Sequence, residues 1–408
     1  MLGMMGEYDL APKDVPYSDR RDCVMKITND IDYIGVNDHD LDLFEGQYEV
    51  PNGMAYNSYV IKDSKIAVMD SVEARFGSEW LGNLAEALDG RAPDYLIVQH
   101  VEPDHSANVT RFMDSYPDAV IVASAKAFDL LNNLYGTDYA DRCIIVKEGD
   151  ELELGTHTLR FVAAPMVHWP EVIMTYDAHD KVMFTADAFG KFGALDVEED
   201  WACEARRYYF GICGKFGKQV AAVLNKVAAL DVTVICPLHG PVLTENLDYY
   251  LNLYKTWAAY EPESEGVAIA YCTVYGHTRE AAELLAAELE KCGCPKVAVS
   301  DLARDDMAEA VEDAFRYGTL VLVSTTYNAD MFPFMKQFID HLADHAYQNR
   351  RVAFMENGSW APNAARTMKA KVEAMKNIQI VEPTVTIKGS LDDESRAAIR
   401  ELASALVS

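Results

Sequence analysis

Residues 100–105, His-Val-Glu-Pro-Asp-His, set His100, Glu102, Asp104 and His105 within one turn-sized stretch. Imidazoles and carboxylates are the groups that hold transition metals. Three further candidates lie far along the chain. His168 comes just past the apolar run LRFVAAP, Asp187 closes KVMFTAD, and His239 closes VTVICPLHG. His100 itself closes YLIVQH. Each run reads as a buried strand. In layered α/β folds the strand ends on one side open into a common crevice, so these residues can converge. Four imidazoles and three carboxylates suit two metals, with Asp187 as the bridge. A lone histidine at a strand end is more often structural, and it is the joint pattern that points to a metal site. His157, His179, His341 and His345 lack such a context and are expected to be solvated.

Hydrolases of the metallo-β-lactamase type carry HxHxDH at this kind of position. Here Glu102 stands where they have a second histidine. The substitution adds one negative charge beside the metals. Anionic oxygen ligands favour harder ions, and the extra charge stabilises Fe(III) over Fe(II). The carboxylate therefore turns a Lewis-acid site toward a redox site.

The elements that must position these residues fall into two textures. Through about residue 255 the chain reads as short strands (SYVIK, KIAVMD, YLIVQH, AVIVAS, CIIVKEG, LRFVAAP, KVMFTAD, VTVICPLHG) separated by long loops. Helical patterns interrupt them at EWLGNLAEAL and KQVAAVLNKVAAL. The polar stretch AAYEPESEG, 258–266, marks a linker, so the domains are read as 1–260 and 266–408. Beyond Gly266, five strands alternate with helices. The first helix, TREAAELLAAELEKCG, sets Ala281, Leu284, Leu285 and Leu289 on one face. That alternation implies a doubly wound parallel sheet of flavodoxin-like order.

Composition excludes more than it identifies. The 408 residues carry 36 Lys+Arg against 65 Asp+Glu, a net charge of −29, which argues against nucleic acid or an anionic membrane as partner. No apolar run approaches the ~20 residues of a membrane span. The start, MLGMMGEYDLAPKD, lacks the basic and apolar regions of a secretory signal. Eight cysteines, Cys23 among them, include no C-x-x-C pair and are expected to be mostly buried, reduced core residues of a cytoplasmic chain. A rubredoxin-like or zinc-ribbon module is not expected.

The second half carries its own constellation. TVYGHT, 273–278, joins the first strand to its helix, and Thr273, Thr278, the flexible Gly276 and the helix N-terminal amides make an anion cradle. Val274, Tyr275 and His277 complete that loop. TTYNADMFP, 325–333, follows the third strand and brings Thr325, Thr326, Tyr327 and Asn328. ENGSWAPNA, 356–364, follows the fourth. There Asn357, Gly358 and Ser359, with Asn328, offer donors to the edge of a planar ring, and Trp360 can stack on it. No G-x-G-x-x-G is present, so a nicotinamide site is not expected.

Taken together, HVEPDH, HWPE at 168–171, TADAFGKFGAL at 185–195, ARRYYFGI at 205–212 and PLHGPVL at 237–243 resemble the flavodiiron proteins over nearly the whole chain. Leu243 and Thr244 follow HGP where many members have tryptophan. The resemblance implies a metallo-β-lactamase-like αββα domain followed by a flavodoxin-like domain. It implies one iron on His100, Glu102 and His168, a second on Asp104, His105 and His239, and Asp187 between them. FMN would occupy the second domain, and Tyr209 would supply a proton or hydrogen bond near the irons. The implied activity is reduction of dioxygen to water, of nitric oxide to nitrous oxide, or both. Electrons would come from a separate donor such as rubredoxin or a reductase. The implied assembly is a head-to-tail homodimer or a dimer of dimers. A dizinc hydrolase with a flavodoxin-like appendage is the alternative, and Glu102 argues against it.

Overall fold

A computed structural model describes residues 25–137 and 139–407. Cys23 and the first fourteen residues lie outside this range. The first half is a sandwich of two sheets with helices on both outer faces. A seven-stranded sheet runs in the order Met25–Lys26, Ile31–Tyr33, Tyr59–Lys62, Ile66–Met69, Tyr95–Val98, Val120–Ser124, Cys143–Val146. A five-stranded sheet runs Glu151–Glu153, Thr158–Ala163, Ile173–Asp177, Val182–Phe184, Val234–Cys236. Strand alternation explains the layers. Tyr59 and Ile61 enter a core shared with Phe161, Ile173 and Phe184 of the other sheet, whereas Val60 joins the core under the helices. Both faces are covered, so these strands read as unbroken apolar runs.

The second half is a parallel sheet in the order Val297–Asp301, Ser264–Cys272, Tyr317–Tyr327, Gln348–Asn357, Lys376–Ile387. This is the expected 2-1-3-4-5 order, and the αββα-plus-flavodoxin architecture is borne out. Ala281, Leu285 and Leu289 are buried against the sheet, and Leu284 packs partly buried beside them. Among the described residues no helix is long and apolar enough to cross a membrane.

Three expectations are corrected. The first half is richer in helix than its loops suggested, with helices at Ala125–Tyr135, Trp201–Ile212 and Leu247–Ala258, and with the unforeseen strand Ile173–Asp177. Of the seven described cysteines only Cys213, Cys236 and Cys272 are buried, and Cys292 is exposed. His157 is not solvated: it is 1% exposed, with Nδ1 3.0 Å from Asp177 Oδ2. His345 is half-buried as well, with Nε2 3.2 Å from the Gly211 carbonyl.

The chain crosses between halves in residues 259–263, and the crossing is pinned. The Tyr260 hydroxyl donates to Gly214 O at 2.7 Å, and Arg206 forks onto Glu263 at 2.6 and 2.7 Å. The helix Trp201–Ile212 then packs on the helix Met307–Arg316 of the second half. Arg206 also pairs with Glu312, Arg207 lies 3.2 Å from Asp306, and Phe210 stacks on Phe315 with ring centroids 4.0 Å apart. The apolar core is continuous across this join.

Candidate functional site

All seven proposed ligands converge at one end of the sandwich, where the strands deliver them as the spacing suggested. The backbone holds the first loop firmly. Asp70, just past the strand Ile66–Met69, accepts from the Gln99 amide at 2.7 Å and the His100 amide at 3.3 Å. Burial raises the Asp70 carboxyl to about 6, against the pull of these N–H bonds. The Ser71 hydroxyl donates to the His105 carbonyl at 2.7 Å. At the other side Gly240, at φ +76°, lets the chain turn directly after His239, and a side chain there would meet Lys191 at 2.7 Å.

The seven side chains form two groups that share one residue. His100 Nε2 lies 3.2 Å from Glu102 Oε2, 3.3 Å from His168 Nε2 and 3.4 Å from Asp187 Oδ2. His168 Nε2 lies 3.0 Å from both Glu102 Oε2 and Asp187 Oδ2. In the second group, His105 Nε2 lies 3.3 Å from Asp104 Oδ2, 3.0 Å from His239 Nε2 and 3.2 Å from Asp187 Oδ1. His239 Nε2 lies 3.3 Å from Asp104 Oδ2 and 3.8 Å from Asp187 Oδ1. Asp187 thus turns one oxygen toward each group. A tetrahedral centre with donors about 2.1 Å from its metal has donor–donor edges of roughly 3.4 Å. Both groups have that size.

Two observations show that the donor set fits metal rather than a self-contained hydrogen-bond network. Both Asp104 oxygens and Asp187 Oδ1 are buried without a hydrogen-bond donor. The histidine tautomers are set from outside as well. His100 Nδ1 donates to Glu171 Oε1 at 2.8 Å and His239 Nδ1 to the Ala55 carbonyl at 2.7 Å, which leaves Nε2 of each ring as the inward lone pair. Burial opposes charge on His168, yet Asp187 and Glu102 raise it to about 9. Burial likewise opposes charge on Glu102, and His100 and His168 still hold it below the usual carboxylate range. The protons this field favours are those a bound cation displaces.

Glu171 was visible in HWPE, but its role was not. It holds His100 through the carboxylate–histidine contact that orients metal-bound imidazoles. Glu171→Gln keeps the shape and loses the charge. Metal affinity is expected to fall by about 10–100-fold, read as faster loss of metal to a chelator. Retention equal to wild type would remove Glu171 from the site.

Tyr209 does not face this centre. Its ring packs on Tyr254 and Trp257, with centroids 5.2 and 5.3 Å away. The neighbouring Tyr208 is the inward residue, 5.5 Å from the His239 ring, with a buried hydroxyl that has no partner. Phe44 and Tyr56 complete the wall around His239 at 5.4 and 5.8 Å. A small mouth of about 250 Å³ opens past Phe44, Glu45, Tyr56, Glu102 and Asp104. Burial and the neighbouring Glu102 raise the Glu45 carboxyl at this mouth to about 7.

The second constellation also assembles. A cleft of about 480 Å³ is lined by Thr273, Val274, Tyr275, His277, Thr278, Thr325, Thr326, Tyr327, Asn328, Asn357, Gly358, Ser359 and Trp360. Ala329 and Ala361 of the same loops join them, as does Gly389, which carried no sequence signal. Gly276 does not line the cleft. At φ +99° it starts the helix His277–Lys291, and its amide donates to Thr273 Oγ1 at 3.0 Å. Some expected donors are already engaged. The Asn357 amide group donates to Gly389 O at 2.8 Å and accepts from Gly389 N at 3.0 Å, and Thr326 Oγ1 accepts from the Asn363 and Ala364 amides. Tyr275 and Trp360 project from the rim, 91% and 83% exposed.

Comparison with known proteins agrees with both halves. A profile described as ODP family beta lactamase matches residues 54–240, and one described as Flavodoxin domain matches residues 268–393. A mutant of the flavo di-iron protein from Thermotoga maritima superposes with a TM-score of 0.85 at 25% identity, covering 94% of this chain and 97% of that one. The chain has the architecture of a flavodiiron protein. Rubredoxin oxygen:oxidoreductase from Desulfovibrio gigas shares the fold, with a TM-score of 0.87, 22% identity, and coverage of 94% and 97%. The anaerobic nitric oxide reductase flavorubredoxin of Salmonella arizonae is 29% identical over 361 residues, 85% of this chain and 74% of the relative.

Proposed function

We propose that this chain is a flavodiiron oxidoreductase that reduces dioxygen to water, nitric oxide to nitrous oxide, or both. The observation that carries the reading is Asp187, whose two oxygens face two separate histidine–carboxylate groups. His100, Glu102 and His168 would hold one iron, and Asp104, His105 and His239 the other. Thr273, Thr278 and the amides opening the helix His277–Lys291 would hold the FMN phosphate, and Trp360 would cover the ring. When bound, the flavin supplies electrons singly or in pairs and the diiron pair passes them to the gas. The protein's own part is positioning. Glu171 and the Ala55 carbonyl fix two imidazoles, Glu102 adds the anionic charge, and Phe44, Tyr56 and Tyr208 keep bulk water from His239. The unpartnered Tyr208 hydroxyl is placed to give a hydrogen bond or proton.

Relatives named flavorubredoxin and rubredoxin oxygen:oxidoreductase support an external donor of the rubredoxin kind. The seven free thiols among the described residues support a reducing, cytoplasmic setting. The reading includes a head-to-tail homodimer, or a dimer of such dimers, in which the flavin of one protomer faces the irons of its partner. The metal mouth is lined by residues of the first half alone and the flavin cleft by residues of the second alone. Tyr275 and Trp360, nearly bare in one chain, would lie under the partner. Such an interface would be isologous and beyond ~2,000 Å².

Subunit exchange tests this. One parent lacks iron (His168→Ala with Asp187→Ala) and the other lacks flavin (Thr273→Ala with Thr278→Ala). Each parent is expected to be inactive, and mixed dimers to recover gas reduction. Verified hybrids that stay inactive while each parent keeps its remaining cofactor would contradict the cross-chain route.

A further inference from the structure

The end of the sandwich away from the proposed iron centre carries a second histidine cluster. His157 comes before the strand Thr158–Ala163, His168 after it; His179 comes before Val182–Phe184, Asp187 after it. The two clusters therefore flank the same strands from opposite ends. We propose that His157, His179 and Asp30 form a site for a divalent transition metal of the zinc type.

His157 is the anchor. Its Nδ1 donates to the fully buried Asp177 at 3.0 Å, which makes Nε2 the lone-pair nitrogen and raises its basicity. That Nε2 atom is buried and has no hydrogen-bond partner. The nearest carboxylate oxygen, Asp30 Oδ2, lies 3.6 Å away, beyond a hydrogen bond but close to the roughly 3.4 Å edge of a tetrahedral zinc centre. His179 sits against it with ring centroids 4.7 Å apart. One donor atom each from Asp30, His157 and His179 lies within 4.8 Å of the others. Closing that gap needs rotation of His179 and Asp30, whose side chains are 43% and 48% exposed.

The surrounding loops are held in place for this. Asp177 accepts from the His179 amide at 3.3 Å and the Asp180 amide at 3.0 Å. Thr28 Oγ1 donates to Asp180 Oδ2 at 2.5 Å and accepts from the Asp30 amide at 3.3 Å, tying the two turns together. Asp177 and Asp30 set carboxylate oxygens 3.0 and 3.6 Å from the two nitrogens of the His157 ring. Two imidazoles and one carboxylate select zinc-like ions, since calcium and magnesium want oxygen throughout. A metal here would clamp turns from both sheets, because Asp30 belongs to the seven-stranded side and the histidines to the five-stranded side.

The test uses holoprotein loaded with iron and FMN, dialysed against micromolar zinc sulfate with magnesium as control. Zinc, iron and flavin are then counted per chain. Wild type is expected to take up one zinc with no loss of iron, and its melting temperature to rise. His179→Ala and Asp30→Asn, both at half-exposed positions, should each lose that zinc and the melting shift while keeping iron and FMN. No uptake by wild type, uptake matched by loss of iron, or wild-type uptake in either variant would overturn the site.

Discussion

Asp187→Asn is expected to cost the chain its binuclear centre and more than about 100-fold in gas reduction. Loss of a residue that merely supports a metal ligand costs about 10–100-fold. Asp187 lies closer in than that, facing four imidazoles at 3.0–3.8 Å. Asparagine keeps the volume and loses the charge that offsets them. Wild-type protein from iron-replete, anaerobic culture should hold two irons, and the variant less than one. The flavin content should be unchanged, because no residue lining the flavin cleft touches Asp187. Two irons and full turnover in the variant would contradict the bridging role. Two zincs and no iron in wild type would favour the hydrolase reading.

The second large effect concerns stability. Arg206 is buried between Glu263 and Glu312, where the two halves meet. Arg206→Ala leaves the buried Glu312 and the half-buried Glu263 without their counter-charge, and removing one partner of a buried pair costs about 3–5 kcal/mol. Denaturant unfolding should show a lower midpoint, and proteolysis should find residues 259–263 more readily. A change within about 0.5 kcal/mol, the range of ordinary surface substitutions, would mean the network does not hold the halves together.

What was legible in the sequence was what depends on residue type at strand ends. Each proposed ligand follows a strand whose apolar run is plain, so convergence could be inferred before the fold was seen. What failed depended on helix phase or on contacts far apart in sequence. Successive helical residues point about 100° apart, and in Ala-Arg-Arg-Tyr-Tyr-Phe nothing local says which tyrosine faces inward. The structure turns Tyr208 to His239 and Tyr209 to Trp257. The helix Trp201–Ile212 was itself missed because it lies between two halves and buries Arg206 and Arg207 along with its apolar residues, so it lacks a polar face. His157 looked solvated because Asp177, twenty residues on, is what buries and binds it. In the second half, strand–helix alternation made the sheet order and the three loops readable, whereas the engagement of Asn357 by Gly389 required the fold.

On the proposed reading, electrons would leave the flavin for the gas by way of the metal pair that Asp187 would hold. Anaerobic reduction followed by rapid mixing with dioxygen or nitric oxide, watching the flavin absorbance, tests it most directly. Reduced wild type should reoxidise its flavin in step with gas consumption. The Asp187→Asn chain, with the same flavin, should reoxidise more than about 100-fold slower. Flavin reoxidation in the iron-depleted variant as fast as in wild type would contradict it, because the gas would then be taking its electrons from the flavin directly.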